Sequence, residues 1–154
     1  MKGELQIQGP SVMMGYHNND IATAESRTAD GWLRTGDIAV DDGFSHFRIV
    51  DRLKDMIIAA GYNIYPAEIE RVLVAHESVS IVAVGRVTDP IRGEVARAYV
   101  VLATGAVADA DGLLEFARSH LAAYKEPRAI HFMSELPTTS SGRIIRRLLA
   151  PPAP

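Results

Sequence analysis

The sequence predicts an α+β fold in which a small domain, a β-sheet with flanking helices, follows a β-rich segment. Two runs rich in β-branched residues, 79–87 and 95–102, are typical of well-buried strands. Apolar residues recur at helical spacing after Pro66, and a proline suits the first turn of a helix. Short alternating segments over the first fifty residues indicate strands.

The composition excludes several classes of protein. The 154 residues include 16 Lys+Arg and 19 Asp+Glu, and the net charge of -3 argues against nucleic-acid binding. No apolar run approaches the roughly 18 residues that a membrane span needs, and the N-terminus lacks the pattern of a signal peptide. The absence of Cys excludes disulfides, thiolate zinc sites and cysteine nucleophiles. A cytoplasmic location is therefore the default expectation.

The first fifty residues predict short elements separated by turns. We expect a strand at 4–8, a helix at 21–25 capped by Asp20, and strands at 38–40 and 47–50. These elements offer little apolar mass for a core of their own, and edge strands without partners promote aggregation. We therefore expect this segment to be the end of a larger domain.

The pattern changes after residue 55. An apolar segment broken by Gly61 predicts a small hairpin at 56–64, and a helix begins at Pro66. Its apolar positions form one face, and we expect the charged positions between them to point outward. The apolar set is Ile69, Val72, Leu73 and His76, and the outward set is Glu68, Glu70 and Arg71.

The remainder completes the predicted order β-α-β-β-α-β-α. After the two β-branched runs, Asp109 or Asp111 caps a second amphipathic helix. A strand at 129–133 and a short terminal helix at 144–149 follow. The proline-rich end, 151–154, cannot extend a helix, and we expect it to be disordered.

The sequence lacks the general catalytic and cofactor-binding motifs. The sequence has no phosphate-binding loop of the Gly-x-x-x-x-Gly-Lys-Ser/Thr type and no Gly-x-Gly-x-x-Gly after a strand. Its five histidines lack metal-ligand spacing. His76 and His131 lie in apolar-periodic segments, where we expect them to be structural. The sequence therefore predicts no resident metal site.

Three loops remain as candidates, each with a purely structural alternative. In 34–37, the carboxylate of Asp37 beside a glycine turn suits a ribose diol, or it caps the turn. Four charges in 51–55 are typical of an interdomain linker, or of a solvated turn. The hydroxyl-rich loop 136–147 can carry a long cationic side chain to a phosphate or carboxylate, or it is a flexible linker.

Several motifs follow in a fixed order along the chain and together resemble one family. The longest are Gly31-Trp32-Leu33-Arg34-Thr35-Gly36-Asp37, Asp51-Arg52-Leu53-Lys54-Asp55, Gly61-Tyr62-Asn63-Ile64-Tyr65-Pro66 and the loop from Leu136 to Arg147. In this order the chain resembles the C-terminal part of the AMP-forming acyl-CoA synthetases, in the adenylate-forming superfamily of luciferases and peptide-synthetase adenylation domains. The resemblance extends to about residue 149. The segment Asn63-Ile64-Tyr65-Pro66 is most similar to the corresponding segment of fatty-acyl-CoA ligases.

The resemblance implies a two-step reaction that uses ATP and CoA. A carboxylic acid, such as a fatty acid, attacks the α-phosphate of ATP to give an acyl-adenylate and pyrophosphate. The CoA thiol then displaces AMP and forms a thioester. The resemblance also implies Mg²⁺ with the ATP, held by ligands outside this chain, and a small domain that swings between two poses.

The resemblance assigns roles to five residues. Asp37 would bind the ribose hydroxyls, and Arg52 would contact the nucleotide near the ribose and phosphate. Lys54 falls at the hinge, and Gly61 lies on the loop that enters the site for thioester formation, where the missing side chain leaves room for the pantetheine arm. Arg143 takes the position of the lysine that assists adenylation. Arginine keeps the charge, but its planar fork differs from an ammonium point charge.

The resemblance also implies a division of the chain and a missing partner. Residues 1–51 correspond to the end of the large N-terminal domain, and 52–154 correspond to the small mobile domain. The family's phosphate loop, adenine pocket and acyl pocket precede the matched motifs. We therefore expect a chain that is inactive alone and needs an N-terminal domain or subunit. The alternatives are a separately encoded complementing subunit and a degenerate, non-catalytic interaction module, the latter suggested by Arg143.

Overall fold

The computed structural model describes residues 1–44 and 46–149. Their contacts divide the chain into two compact units, one of Met1–Lys54 and one that begins at Asp55. The predicted domain limits, 1–51 and 52–154, refer to a larger protein and stay a prediction. The expectation for 151–154 lies outside the described residues.

The first unit is a three-stranded antiparallel sheet with one short helix. The strands are β1 (Lys2–Ile7), β2 (Leu33–Asp41) and β3 (Phe47–Arg52), and β2 lies in the centre. The helix is α1 (Asp20–Glu25), but its N-cap is Asn19, whose side chain accepts a hydrogen bond from Ala22 N at 3.0 Å. The expected cap, Asp20, is instead the first helical residue.

The first unit buries few apolar residues, as the sequence predicts. Ile38 and Ala39 are its buried hydrophobic residues, while aromatic and aliphatic side chains of the same sheet are exposed. They surround a cavity of about 600 Å³ whose lining includes Leu5, Trp32 and Phe47. The sheet therefore presents an apolar surface.

The second unit is built on a five-stranded sheet with two helices. Its elements are β4 (Ile57–Ala59), β5 (Tyr62–Ile64), α2 (Pro66–Leu73), β6 (Val79–Asp89), β7 (Gly93–Leu102), α3 (Ala110–His120) and β8 (Ala129–Phe132). β6 pairs along one edge of β7, while β4 and β8 pair with the other edge, β8 in parallel. The α+β class predicted from the sequence is confirmed.

Both faces of the β6–β7 pair are covered. On one face the core joins the strands to α2 and α3, and its fully buried members include Leu73, Val84 and Leu113. On the other face Tyr99 packs with a second cluster that includes Leu136 and Leu149. The run of apolar residues without alternation in these strands is thus explained by burial on two sides.

Two expectations for the second unit are wrong. The segment 144–149 is not a helix: it contains one 3₁₀ turn, Arg146–Leu148, because the residues before it pair with Pro137 and Thr138. Glu70 does not point to solvent, because its Oε1 accepts a hydrogen bond from Val84 N at 2.7 Å. In both cases a contact distant in sequence outweighs the local pattern.

The structure decides between the two candidate caps of α3. Asp109 is the N-cap, and its Oδ1 accepts a hydrogen bond from Gly112 N at 2.9 Å, whereas Asp111 lies exposed in the first turn. Asp109→Ala should lower the free energy of unfolding by about 1 kcal/mol. Urea unfolding followed by circular dichroism measures it, and Asp111→Ala is the matched control. A larger loss for Asp111→Ala would contradict the assignment.

Candidate functional site

The first candidate loop forms a bulge in the β2 strand. Gln6 pairs with Arg34 and Glu4 with Ile38, so the three residues 35–37 stand opposite Leu5 alone. A bulge of this kind bends the strand and re-aims its side chains. The local sequence Thr-Gly-Asp allows it, since Gly36 has a φ of 70°.

The side chains of Thr35, within the bulge, and of Glu4, on the neighbouring strand β1, stabilise this bulge. The hydroxyl of Thr35 donates to Leu5 O at 2.7 Å and accepts from Asp37 N at 3.1 Å, and Gly36 N donates to Glu4 Oε1 at 3.2 Å. No role was predicted for Glu4 or Thr35, although a Thr-Gly pair before an acidic residue was the available signal.

The structure brings Asp37 and Arg52 together. They are opposite each other on β2 and β3, and Arg52 Nε lies 3.3 Å from Asp37 Oδ1. The two side chains are 29% and 53% exposed, so solvent reaches both. The second carboxylate oxygen and the remaining guanidinium N–H groups are chemically suited to a diol and a phosphate.

Gly61 lies in the two-residue turn between β4 and β5. Ala60 and Gly61 have φ values of 48° and 84°, the positive pair typical of a type I′ hairpin turn. A Cβ on Gly61 would meet no atom within 4 Å. Within this chain, therefore, the backbone conformation and not crowding demands the glycine.

The Gly61 hairpin is attached to the sheet by few bonds. β4 pairs with β7 only between Ala59 and Gly93 in the described ladder, and Ala60 N donates to Arg92 O at 2.9 Å. Glu94 adds a side-chain bond, because its Oε2 accepts from Ile58 N at 2.9 Å. No local sequence pattern predicted this anchoring role of Glu94.

An aromatic pair stands beside the turn. Tyr62 and Tyr124 stack with ring centroids 4.8 Å apart, and Lys125 Nζ lies 2.6 Å from Glu68 Oε1. The hydrogen bond to the Glu68 carboxylate holds the pKa of Lys125 above its ordinary value. Lys125 thus remains a cation, and it fixes the turn after α3 to the first turn of α2.

Arg143 lies at the end of a small hairpin. Thr138 bridges to Ile144, Thr139 N donates to Arg143 O at 2.8 Å, and Gly142 N donates to Thr139 O at 2.9 Å. Gly142 has a φ of 80°, as the last residue of a three-residue hairpin loop requires. The Arg143 side chain is exposed, so the loop presents a cation at its edge.

Lys54 lies where the two units meet along the chain. It belongs to a 3₁₀ turn, Leu53–Asp55, and it is exposed. The first unit thus holds Asp37, Arg52 and Lys54, and the second holds Gly61 and Arg143.

Within residues 1–44 and 46–149, no three or more His, Cys, Asp or Glu side chains are grouped so that they could hold a metal ion. None of the helices in this part of the chain has the length and apolar character needed to cross a membrane.

Comparison with known proteins identifies the class. Residues 68–143 match the model of the AMP-binding enzyme C-terminal domain. The chain is 50% identical over 145 residues to feruloyl-CoA synthase from Amycolatopsis sp, covering 94% of this chain and 29% of that protein. It is also 50% identical over 147 residues to a long-chain-fatty-acid–CoA ligase from Bacillus subtilis, covering 96% of this chain and 26% of that protein.

Solved structures agree with these matches. The fold superposes on ATP-bound MatB from Rhodopseudomonas palustris with a TM-score of 0.92 and 32% identity, covering 97% of this chain and 30% of that one. Fold and loops together define an adenylate-forming enzyme domain. Residues 68–143 belong to the AMP-binding enzyme C-terminal domain family, and the chain corresponds to the C-terminal part of AMP-forming acyl-CoA ligases. It spans less than a third of the length of the relatives that it matches.

The turn at Ala60 and Gly61 generates a stability prediction. Gly61→Ala places a Cβ at positive φ, which should cost about 1–2 kcal/mol although no atom is in the way. Ala60→Asn creates the Asn-Gly pair that type I′ turns favour, and it should raise the free energy of unfolding. Urea unfolding of both variants measures the two signs. Equal stability of Gly61→Ala and the parent chain would contradict the turn assignment.

Proposed function

We propose that this chain is the C-terminal portion of an ATP-dependent acyl-CoA synthetase that converts a carboxylic acid, ATP and CoA into acyl-CoA, AMP and pyrophosphate. The acid is a fatty acid or related carboxylate, and the enzyme acts in the cytoplasm. The proposal rests on the distribution of the candidate residues between the two units. Asp37 and Arg52 form one pair in the first unit, while the Gly61 and Arg143 loops belong to the second.

The two half-reactions need different groups. In the first, a carboxylate oxygen attacks the α-phosphorus of ATP, the bond to the bridging oxygen breaks, and pyrophosphate leaves. In the second, the CoA sulfur attacks the acyl carbon, the bond to the AMP oxygen breaks, and the thiol proton is released. A swing about Lys54 would present Arg143 for the first step and the Gly61 turn for the second.

Asp37 and Arg52 supply contacts to the nucleotide that serve both steps. The Asp37 carboxylate accepts hydrogen bonds from the two ribose hydroxyls, and the Arg52 guanidinium lies near the ribose and phosphate. Their mutual ion pair at 3.3 Å fixes the carboxylate in the orientation that the diol needs. Mg²⁺ accompanies ATP through ligands outside this chain.

Arg143 provides a guanidinium to the adenylation step in place of the ammonium of a lysine. The hairpin holds it exposed at the edge of the loop, where it can reach an anionic oxygen. A guanidinium offers a planar, bidentate fork, whereas an ammonium donates in three directions from a compact charge. Arg143 therefore offsets the negative charges of the carboxylate and the α-phosphate as they approach each other, but with less freedom of direction than lysine.

The first unit indicates a partner. Its sheet exposes Ile7, Trp32, Phe47 and Ile49, and an apolar surface of this kind is typical of a buried interface. We assign the surface to the N-terminal domain of the ligase. If that domain is a separate polypeptide, the chain is a complementing subunit, and the same surface joins the two.

The need for the N-terminal part is testable with this chain. Incubated with ATP, CoA and ferulate or a long-chain fatty acid, the isolated chain should form no thioester, measured by chromatography of acyl-CoA. Fused to the remainder of the Amycolatopsis feruloyl-CoA synthase, it should yield feruloyl-CoA, because the fusion restores the phosphate, adenine and acyl pockets.

The controls separate the alternatives. An Asp37→Ala fusion should lose most of the activity, and the unaltered synthase shows that the assay works. Turnover by the isolated chain would refute the need for a partner. An inactive fusion would favour the non-catalytic module, and recovery on mixing the two separate parts would favour the complementing subunit.

Arg143 makes a second prediction in the same fusion. Arg143→Lys should raise the rate of the adenylation half-reaction roughly tenfold, equivalent to about 1.4 kcal/mol of transition-state stabilisation. Exchange of labelled pyrophosphate into ATP measures this step alone. Thioester formation from preformed feruloyl-adenylate should not change. An unaltered exchange rate would count against an adenylation role for this position.

A further inference from the structure

Arg146 lies three residues after Arg143 and binds three other segments of the second unit. Its Nη2 donates to Glu70 Oε2 at 3.1 Å, and its Nη1 donates to Glu70 Oε1 and, at 3.1 Å, to Val84 O. Its Nε lies 3.5 Å from Asp55 Oδ2. One guanidinium thus joins the start of the unit, helix α2, strand β6 and the C-terminal segment.

The surroundings make this cluster stronger than a surface ion pair. The side chains of Arg146, Glu70 and Asp55 are 25%, 17% and 24% exposed. The bidentate fork on Glu70 is the geometry in which arginine pairs are strongest, and partial burial reduces screening by solvent. The neighbouring Arg147 is exposed and has no carboxylate partner among the ion pairs of the described residues.

The position of Arg146 determines what it holds. Just before it, Ile145 N donates to Pro137 O at 2.8 Å and Ile144 bridges to Thr138, so both form the base of the hairpin that carries Arg143. The chain enters this hairpin from Leu136, which is buried. On the exit side, Arg146 is the first residue anchored by side-chain bonds. Its contacts therefore fix the direction in which the hairpin leaves the sheet.

We propose that Arg146 is a positioning residue for Arg143, and that its contact with Asp55 links the Arg143 hairpin to the start of the mobile unit next to Lys54. This inference rests on the proposed function. It means that a rotation at Lys54 moves the Arg143 hairpin together with Asp55 as one rigid piece. Arg146 itself touches neither substrate nor nucleotide and acts through the placement of the hairpin.

Hydrogen exchange of the 154-residue chain tests, without any catalytic assay, whether the Arg146 contacts hold the Arg143 hairpin. Arg146→Ala should speed exchange of the amides in 138–145 roughly tenfold, since local opening becomes easier, while the β6–β7 amides keep their rates. Arg146→Lys should give an intermediate acceleration, because a compact ammonium keeps the charge but cannot reproduce the bidentate fork on Glu70. Arg147→Ala, the matched control, should leave exchange in 138–145 unchanged.

Two outcomes overturn the proposal. One is an unchanged rate in 138–145 for Arg146→Ala. The other is a uniform acceleration that includes the β6–β7 amides, which would make Arg146 a general stabiliser. Asp55→Ala removes a single contact and keeps the test decisive if Arg146→Ala does not fold: it should speed exchange in 138–145 severalfold, and the parent rate would overturn the link to Asp55.

A functional readout separates this inference from the proposed function. In an active fusion, Arg146→Lys should lower pyrophosphate exchange several-fold and leave thioester formation from preformed adenylate unchanged. Faster amide exchange with unaltered pyrophosphate exchange would support the holding of the hairpin by Arg146 and reject the adenylation role of Arg143. Equal losses in both half-reactions would reject a specific positioning role for Arg146.

Discussion

The pairing of β6 with β7 is the contact on which the second unit depends. Ten residue pairs join the two strands from Val79 and Leu102 to Asp89 and Gly93. Both faces are buried, one under α2 and α3 and the other under the C-terminal segment around Tyr99. Because the pair is covered on both sides, it provides a rigid base from which the candidate loops project.

The two candidate loops of the second unit, the Gly61 hairpin and the Arg143 hairpin, are attached to different parts of this base. The Gly61 hairpin is held at the beginning of β7 through Gly93 and the Glu94 carboxylate. The Arg143 hairpin is held at the middle of β6 and on α2 through Arg146. Charged side chains make both attachments: Glu94 accepts from a backbone N–H, and Arg146 binds the Glu70 carboxylate and a backbone carbonyl. At these points the loops lack a regular ladder of strand hydrogen bonds. Polar side chains thus replace strand pairing where a loop must project from the sheet.

The sequence predicted those elements that depend on local patterns. The strands at 79–87 and 95–102 were recognisable because burial on both faces selects unbroken β-branched runs. The hairpin at Gly61 and the helix from Pro66 follow from the special backbone preferences of glycine and proline. These signals do not depend on what the rest of the chain does.

The errors arise where distant contacts decide. The helical reading of 144–149 rests on apolar spacing, but the pairing of Ile145 with Pro137 draws the chain into an extended path. Glu70 is polar and was assigned to solvent, although Arg146, 76 positions later, supplies its partner. A periodicity argument counts apolar positions and therefore cannot detect a charge that is buried because it is paired.

Local sequence patterns also could not predict the pairing of Asp37 with Arg52. The resemblance gave both residues nucleotide contacts, but not their mutual contact. Bulges shift the register between β1 and β2 at residues 35–37 and between β2 and β3 at Val50. Register counted from the hairpin turn would therefore place the wrong residue opposite Asp37.

The three arginines near the C-terminal segment show how context sets the role of one residue type. Arg147 is exposed and Arg143 is exposed on a loop, whereas Arg146 is bound by two carboxylates and a carbonyl. A cation that must meet a substrate has to remain unpaired in the resting chain, because a resident carboxylate would compete with the substrate for it. A cation that directs a loop needs the opposite, since only several fixed partners can hold it in one orientation. In the proposed mechanism these two tasks are divided between Arg143 and Arg146, so that the loop presents an available charge on a firmly held support.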